Sequence, residues 1–236
     1  MTPSSAVLAL RVLDVNDNAP VFSQAEYTVR VPEDVPVGSV LVTLKATDAD
    51  EGLNGQVKYS FHKISDRASE LFNLDSETGE ITVKEDLDFE EISSHELKVR
   101  AHDGGELSDT AEVMITVTDI NDNVPKISVR SVTVREDMAV GSRVLKVTAT
   151  DRDEGPNAEV KYSFFQIPEK FDKTFKMDPE SGEIVISENL NFEEHEFYEL
   201  VVQARDAGGL SSHNLDIICW SILLPYLLPK GTRIWL

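Results

Sequence analysis

The stretch Asp119-Ile120-Asn121-Asp122-Asn123-Val124-Pro125 decides how the rest of this 236-residue chain is read. Asp and Asn compete for their own backbone, and Pro125 removes a donor and holds Val124 extended, so the run makes a poor helix and a poor central strand. It reads as a taut connector rich in hard oxygen ligands. The phrase recurs at Asp14-Val15-Asn16-Asp17-Asn18-Ala19-Pro20, which makes it the joint of a repeating array.

The segment before the connector, Ala111 to Thr118, alternates apolar and polar residues and is rich in β-branched side chains, as a half-buried strand is. By analogy, residues 6–13 read as the last strand of an upstream unit. Between the two connectors, Tyr27 to Val31, Ser39 to Ala46, Val57 to Phe61, Phe72 to Leu74, Ile81 to Val83 and Glu96 to Ala101 supply further short strands. No convincing helical stretch of ten or more residues interrupts them. Ser76-Glu77-Thr78-Gly79-Glu80 is a turn in which Gly79 is expected at positive φ. About seven strands in roughly 100 residues is the pattern of an antiparallel β-sandwich with Greek-key connections.

The second half repeats the first in constant register. Glu33 answers to Glu136, Asp48 and Asp50 to Asp151 and Asp153, Asn54 to Asn157, Gly79 to Gly182, and Asp103 to Asp206, each 103 positions on. The fold class is therefore all-β: tandem seven-stranded Greek-key sandwiches, the second with an altered or incomplete last strand.

Composition narrows the function. Apolar residues make up 41% of the chain, enough for packed cores, while 43 Asp and Glu against 22 Lys and Arg give a formal charge of −21. So negative a chain disfavours nucleic acid or an anionic membrane as partner and favours a cation. Cys219 is the only cysteine, which excludes an intrachain disulfide framework and a zinc site of cysteine pairs. The short apolar run Ala6 to Leu10 has no basic start, so the chain as given shows no secretion signal.

Loops of a Greek-key sandwich alternate between its two poles, which sorts the acids. Glu33, Asp88 and Glu90 of the first unit are expected at the pole that faces Asp151, Asp153 and Asp206 of the second, with Asp119 and Asp122 between. Eight carboxylates and the amide of Asn121 in one small volume would repel without a counter-ion. Calcium suits them, because it takes six to eight oxygens in flexible geometry, and the charge calls for two or three ions. Magnesium prefers near-ideal octahedra and keeps its waters. An EF-hand fails on spacing: counting from Asp48 or Asp151, the sixth position is Leu53 or Pro156 and the twelfth Tyr59 or Tyr162.

Two other readings compete. A hydrolase would use a pair such as Asp88 and Glu90 as acid and base, but that needs carboxylates in contrasting environments around a concave pocket, whereas these repeat with the fold. His62, His95, His102, His195 and His213 share no motif spacing with a nucleophile and are expected on the surface or in loops. A stiff calcium-loaded spacer with no adhesive surface of its own is the other alternative.

The constellation Pro32-Glu33, Asp48-Ala49-Asp50 with Asn54-Gly55, Leu87-Asp88-Phe89-Glu90, Ala101-His102-Asp103-Gly104 and Asp119-Ile120-Asn121-Asp122-Asn123 resembles the extracellular repeats of the cadherin superfamily. Asp50 to Gly55, Glu77 to Ile81 and Tyr198 to Asp206 look most like protocadherins of the clustered kind. The resemblance covers residues 6 to about 213. It implies calcium-rigidified rods on the cell surface that mediate cell–cell recognition, often homophilic, with the same protein or a related cadherin on an apposed cell as partner. It also implies calcium ligation by the backbone carbonyls at Ile120, Asn123 and Asn157. In the first copy the matching positions are Asp14, Asn16, Asp17, Asn18, Asp48, Asp50, Asn54 and Asp103. There the upstream partner's acids are absent, and weak, single-ion binding is expected.

The resemblance has departures. Asn191-Phe192-Glu193 replaces Asp-x-Glu, and Ile222 to Pro225 stand where a third connector belongs. In register, Asp216 would take the core place of Val113 while Ile217 and Cys219 turn outward; a one-residue slip would correct the facing and shift the whole strand. The uncharged run from Ile217 to Pro229 is shorter than the ~20 residues a spanning helix needs. An alternative terminus or a truncated fragment is the expected account of this tail. Residues 1–20 thus read as the end of an upstream repeat with its linker, 21–124 as a repeat, 125–213 as an incomplete repeat and 214–236 as a divergent tail. No membrane span is expected in the chain itself, and the family places the full-length protein at the plasma membrane with its repeats outside the cell.

Overall fold

The structure is a computed structural model that describes residues 12–128 and 132–222. The chain separates into two compact units between Ile120 and Asn121. Of the strand expected over residues 6–13, residues 6–11 lie outside the described residues, and Val12 and Leu13 are exposed and in no strand. Residues 223–236 of the expected tail also lie outside them.

The first unit runs β1 (Val21–Phe22), β2 (Glu26–Pro32), β3 (Val40–Thr43), β4 (Ala46–Thr47), β5 (Lys58–Lys63), α1 (Asp66–Leu71), β6 (Phe72–Leu74), β7 (Glu80–Val83), β8 (Ser94–His102) and β9 (Ser108–Thr118). One sheet has the order β2-β9-β8-β5, with β2 parallel to β9, and a second has the order β3-β7-β6. Among the described residues β1 pairs with β4. Alternation along β8 and β9 sends Leu97, Val99, Ala101, Val113, Ile115 and Val117 inward, where they join Phe72 and Ile81 from the other sheet and Leu44 from the link between β3 and β4 in one core. Each fully buried aliphatic side chain of this kind contributes roughly 1.5–3 kcal/mol.

The one short helix is set locally. The Ser65 hydroxyl accepts the Ala68 amide at 3.2 Å as its N-cap, Asp66 lies in the first turn, and Ala68 and Leu71 are buried.

The second unit runs β10 (Lys126–Ser128), β11 (Val132–Arg135), β12 (Arg143–Lys146), β13 (Thr148–Thr150), β14 (Val160–Gln166), β15 (Phe175–Met177), β16 (Glu183–Ile186), β17 (Phe197–Asp206) and β18 (Leu215–Ile222). Its sheets, β11-β18-β17-β14 and β12-β16-β15, repeat those of the first unit. Gly79 and Gly182 sit at φ 72° and 70°, as the turn requires. A Cβ on Gly79 would lie 2.6 Å from the Leu44 carbonyl oxygen, and one on Gly182 would meet Val147 in the same way.

The last strand takes the slipped register. Leu97 faces Val113 in the first unit, whereas its counterpart Leu200 faces Ile217, one residue later than the offset of 103 predicts. The turn itself keeps the old register, because Arg205 still bridges Ser211 and the Ser212 amide donates to the Ala204 carbonyl at 2.8 Å. The change falls at Gln203, which faces two residues, His213 and Asn214, where one would suffice. This is a β-bulge. The same shift carries through to β11, where Val132 pairs with Cys219. Beyond the bulge Ile217 and Cys219 are buried and Ile218 faces solvent, so the strand is complete in its pairing and altered in its count. The outward facing of Ile217 and Cys219 in the unslipped alignment is corrected, since it would have placed Asp216 in the core.

The surface expectation for the histidines also needs one correction. His95 lies on β8 with only 5% of its surface exposed, its ring edge-on to Phe72 at a centroid distance of 5.1 Å. It shares the inward parity of Leu97 and Val99.

Candidate metal centre

At the leading pole of the second unit, Asp151 follows β13 directly and forms a tight side-chain turn in which its Oδ1 accepts the Asp153 amide at 3.1 Å. Asn123 clamps the other acid of the pair. Its backbone N–H donates to the Asp153 carboxylate at 3.2 Å, and its Nδ2 donates to Asp153 Oδ1 at 2.8 Å and to Asp122 Oδ1 at 2.7 Å. Asp206, at the end of β17, accepts the Gly209 and Leu210 amides on Oδ1 at 2.6 and 2.9 Å, with Asn121 Nδ2 at 3.4 Å. Each carboxylate is thus held by main-chain donors on one side. One oxygen apiece from Asp151, Asp153 and Asp206 lies within 4.8 Å of the others, with Asp153 and Asp206 buried.

The leading pole of the first unit is built in the same way. Asp48 Oδ1 accepts the Asp50 amide at 2.9 Å, and Asn18 donates its N–H and Nδ2 to the two oxygens of Asp50 at 3.1 and 2.6 Å. That Asn18 side chain is the main reason the Asp50 carboxyl titrates below the usual carboxylate range. Asp103 Oδ1 accepts the Gly105 and Leu107 amides at 2.8 and 2.9 Å. Asp17 accepts Asn18 Nδ2 at 2.8 Å, and Asp14 Oδ2 accepts the Glu51 amide at 3.1 Å and Asn54 Nδ2 at 3.0 Å.

The two poles agree in what they leave over. In the first unit Asn16 Oδ1, Asp48 Oδ2 and Asp103 Oδ2 are buried with no hydrogen-bond partner; in the second the same holds for Asn121 Oδ1, Asp151 Oδ2 and Asp206 Oδ2. A buried carboxylate oxygen with no donor is costly, and each pole leaves two of them beside a bare amide oxygen; in the second unit the carboxylates of Asp151, Asp153 and Asp206 also lie close enough to repel. A hard cation with several oxygen ligands removes both penalties at once. The donor set, carboxylates and amide oxygens without sulfur or imidazole, suits calcium.

The trailing pole of the first unit centres on Glu33, 5% exposed, whose Oε2 accepts the Phe89 amide at 2.7 Å and Oε1 the Ile120 amide at 2.8 Å. Asp88 Oδ1 accepts the Glu91 amide at 2.8 Å; Asp88 is exposed and Glu90 half-buried. In the second unit Glu136 takes the Phe192 amide at 3.2 Å, and Asn191 Oδ1 takes the Glu193 amide at 3.0 Å. Asn191 therefore preserves the turn that an Asp makes and lacks its charge. Asp119 and Ile120 close the first unit, and Asn157 lies in a 3-10 turn, Gly155–Ala158, beside the acids of the second.

Two contributors escaped the sequence reading. Gly105 and Gly208 lie against the side chains of Asn16 and Asn121, and a Cβ at either glycine would collide with the amide. Their recurrence at the offset of 103 was the available signal. Asn18 and Asn123 also act through their side chains as clamps on Asp50 and Asp153, beyond any role of the backbone.

A family model described as the cadherin domain matches residues 27–118 and 130–215. Human protocadherin gamma-A7 is 41% identical over 210 residues, covering 87% of this chain and 22% of its own length. Human protocadherin gamma-A3 is 35% identical over 244 residues, covering 95% and 26%. Among solved structures, protocadherin gamma B2 extracellular cadherin domains 1-5 aligns with a TM-score of 0.81 at 35% identity, over 90% of this chain and 40% of that one. Mouse Cadherin-23 EC22-24 aligns with 0.81 at 31%, over 89% and 66%. The chain spans about a fifth to a quarter of the length of these curated relatives.

Proposed function

The chain belongs to the cadherin family, a family of adhesion proteins and not of enzymes, and from that membership we propose that its repeats form a calcium-dependent, homophilic recognition module displayed outside the cell. The single observation that carries the calcium reading is the recurrence of the same three buried, partnerless oxygens at the leading pole of each unit. Asp151, Asp153, Asp206, Asp122 and Asn121 would hold calcium in the second unit, joined by the carbonyls of Asn123 and Asn157. Asp14, Asn16, Asp17, Asp48, Asp50 and Asp103 would do so in the first, with Asn18 and Asn54 beside them. Glu33, Asp88, Glu90, Asp119 and the Ile120 carbonyl complete the ligand set, so that ions stiffen the passage from one repeat to the next.

The ion supplies positive charge and nothing else: no bond is made or broken. The protein's part is orientation. Main-chain amides fix one oxygen of Asp48, Asp103, Asp151 and Asp206, which leaves the second oxygen of each without a donor, where it would serve as a calcium ligand. This pre-orders the ligands and lowers the entropy cost of capture.

Calorimetric calcium titration tests the reading, with Asp122→Ala expected to weaken binding at the connector about tenfold or more while each sandwich stays folded. An unchanged titration would count against it. Aggregation of beads coated with the chain, appearing with calcium and vanishing with chelator, tests the homophilic part; coated beads that bind calcium and never aggregate would identify a rigid spacer. Among the described residues no helix is long and apolar enough to cross a membrane.

A further inference from the structure

The inner face of β8 in the first unit carries a group that the same face of β17 does not. His95 and Tyr198 occupy equivalent places 103 residues apart, and each meets a phenylalanine from the neighbouring sheet edge-on: His95 on Phe72 at 5.1 Å, Tyr198 on Phe175 at 5.2 Å. The aromatic geometry is conserved between the units, while the chemistry differs. An imidazole gains a proton between pH 5 and 8, and a phenol stays neutral throughout that range.

Two charged side chains face His95 from the elements packed on it: Arg67 from α1 and Glu91 from the loop before β8. They are joined to each other by an ion pair of 2.7 Å, and Arg67 also reaches Glu70 at 3.1 Å and Glu85 at 3.9 Å. Glu91 is engaged by the guanidinium, and its pull toward a protonated imidazole is outweighed by burial of the ring and by the Arg67 charge. Phe72 offers a ring edge, which solvates no charge. We propose that His95 makes the first repeat acid-labile; in the second repeat the equivalent buried place is held by Tyr198, and the imidazole near it, His195, is only half-buried in the loop before β17, edge-on to Phe171 at 4.8 Å and to Tyr198 at 5.8 Å.

The direction of the linkage follows from the surroundings. Burial first, and the Arg67 charge second, hold the His95 ring below its ordinary value of 6.5. The folded unit thus binds fewer protons there than the unfolded chain does. Stability is complete above pH 6.5 and falls as the pH drops through the unfolded value toward the lower, folded one. Over that window the folding equilibrium of the first repeat declines by at most about tenfold per pH unit. Protonated His95 must either separate from Phe72 or carry its charge into the core, and α1 and β6, both short, are the elements that have to give way.

The test uses the whole chain in chelator, which keeps the calcium carboxylates out of the comparison. Thermal unfolding at pH 7.5 and 5.0 is measured for the unaltered chain and for His95→Tyr, which reproduces the second repeat. The second repeat's transition in the same chain is the reference for acid effects that the two repeats share. The expected result is an additional drop in the first repeat's transition, present in the unaltered chain and absent from His95→Tyr. Equal drops in both proteins would overturn the proposal. Should His95→Tyr not fold, NMR titration of the His95 ring in the unaltered chain, assigned through its backbone, decides instead: a midpoint below 6.5 supports the proposal and one at or above 6.5 overturns it.

Discussion

The two repeats reach nearly the same structure from hairpins of different length. In the first, β8 and β9 pair without interruption from Ser94↔Thr116 to His102↔Ser108. In the second, the turn after Asp206 is the same, yet His213 and Asn214 share one partner before Leu215 settles opposite Val202. The insertion is absorbed within the first residues of the strand, so the Asp206 carboxylate with its main-chain donors and the inward rows of Leu200 and Ile217 are both undisturbed. The difference teaches that facing dominates the register: a bulge costs one ladder bond, whereas burying Asp216 and exposing Ile217 and Cys219 would forfeit several kcal/mol.

Deletions give the largest break in that comparison. Removing Thr110 from the first repeat would turn Val113, Ile115 and Val117 outward, at roughly 1.5–3 kcal/mol each, and the repeat is expected to lose its unfolding transition. Removing His213 from the second should only straighten the strand, changing stability by less than about 1 kcal/mol. Calorimetric scans of the two deletions in calcium check this; comparable losses would show that the second repeat depends on its bulge. A smaller effect should be shared by both units. Gly79→Ala and Gly182→Ala each press a methyl into a carbonyl at positive φ, and a cost of ~1–3 kcal/mol per repeat is expected from urea unfolding. The smallest effect sharpens the contrast in the turn. Glu106 holds φ 74° where the second repeat has Gly209 at φ 103°, so Glu106→Gly should stabilise the first repeat by about 0.5–1 kcal/mol while Gly209→Ala weakens the second.

Much of this was legible because the chain says it twice. The offset of 103 turns scattered acids into matched sets, and it places Gly79 and Gly182 at the same strained turn. The orphaned oxygens were not legible: a sequence shows that Asp103 is an acid, not that Gly105 and Leu107 take one of its oxygens and leave the other bare. The slip in β18 was readable only as an alternative, because the conflict between Asp216 and the core is settled by pairing partners on either side. His95 was misjudged for a different reason. Residue type places a histidine at the surface, whereas its parity with Leu97 and Val99, and a tyrosine 103 positions later, point inward.

One carboxylate joins parts of the first repeat that are remote along the chain. Glu33 takes its two donors from Phe89 and Ile120, 56 and 87 residues away, and neither amide is in reach until the sandwich has shut. The orientation of that side chain is therefore a late event in folding, and a cation arriving earlier meets a disordered acid instead of a socket. Were a cation held at this pole, its capture would report that the repeat is finished and could not serve as the template on which the repeat is made.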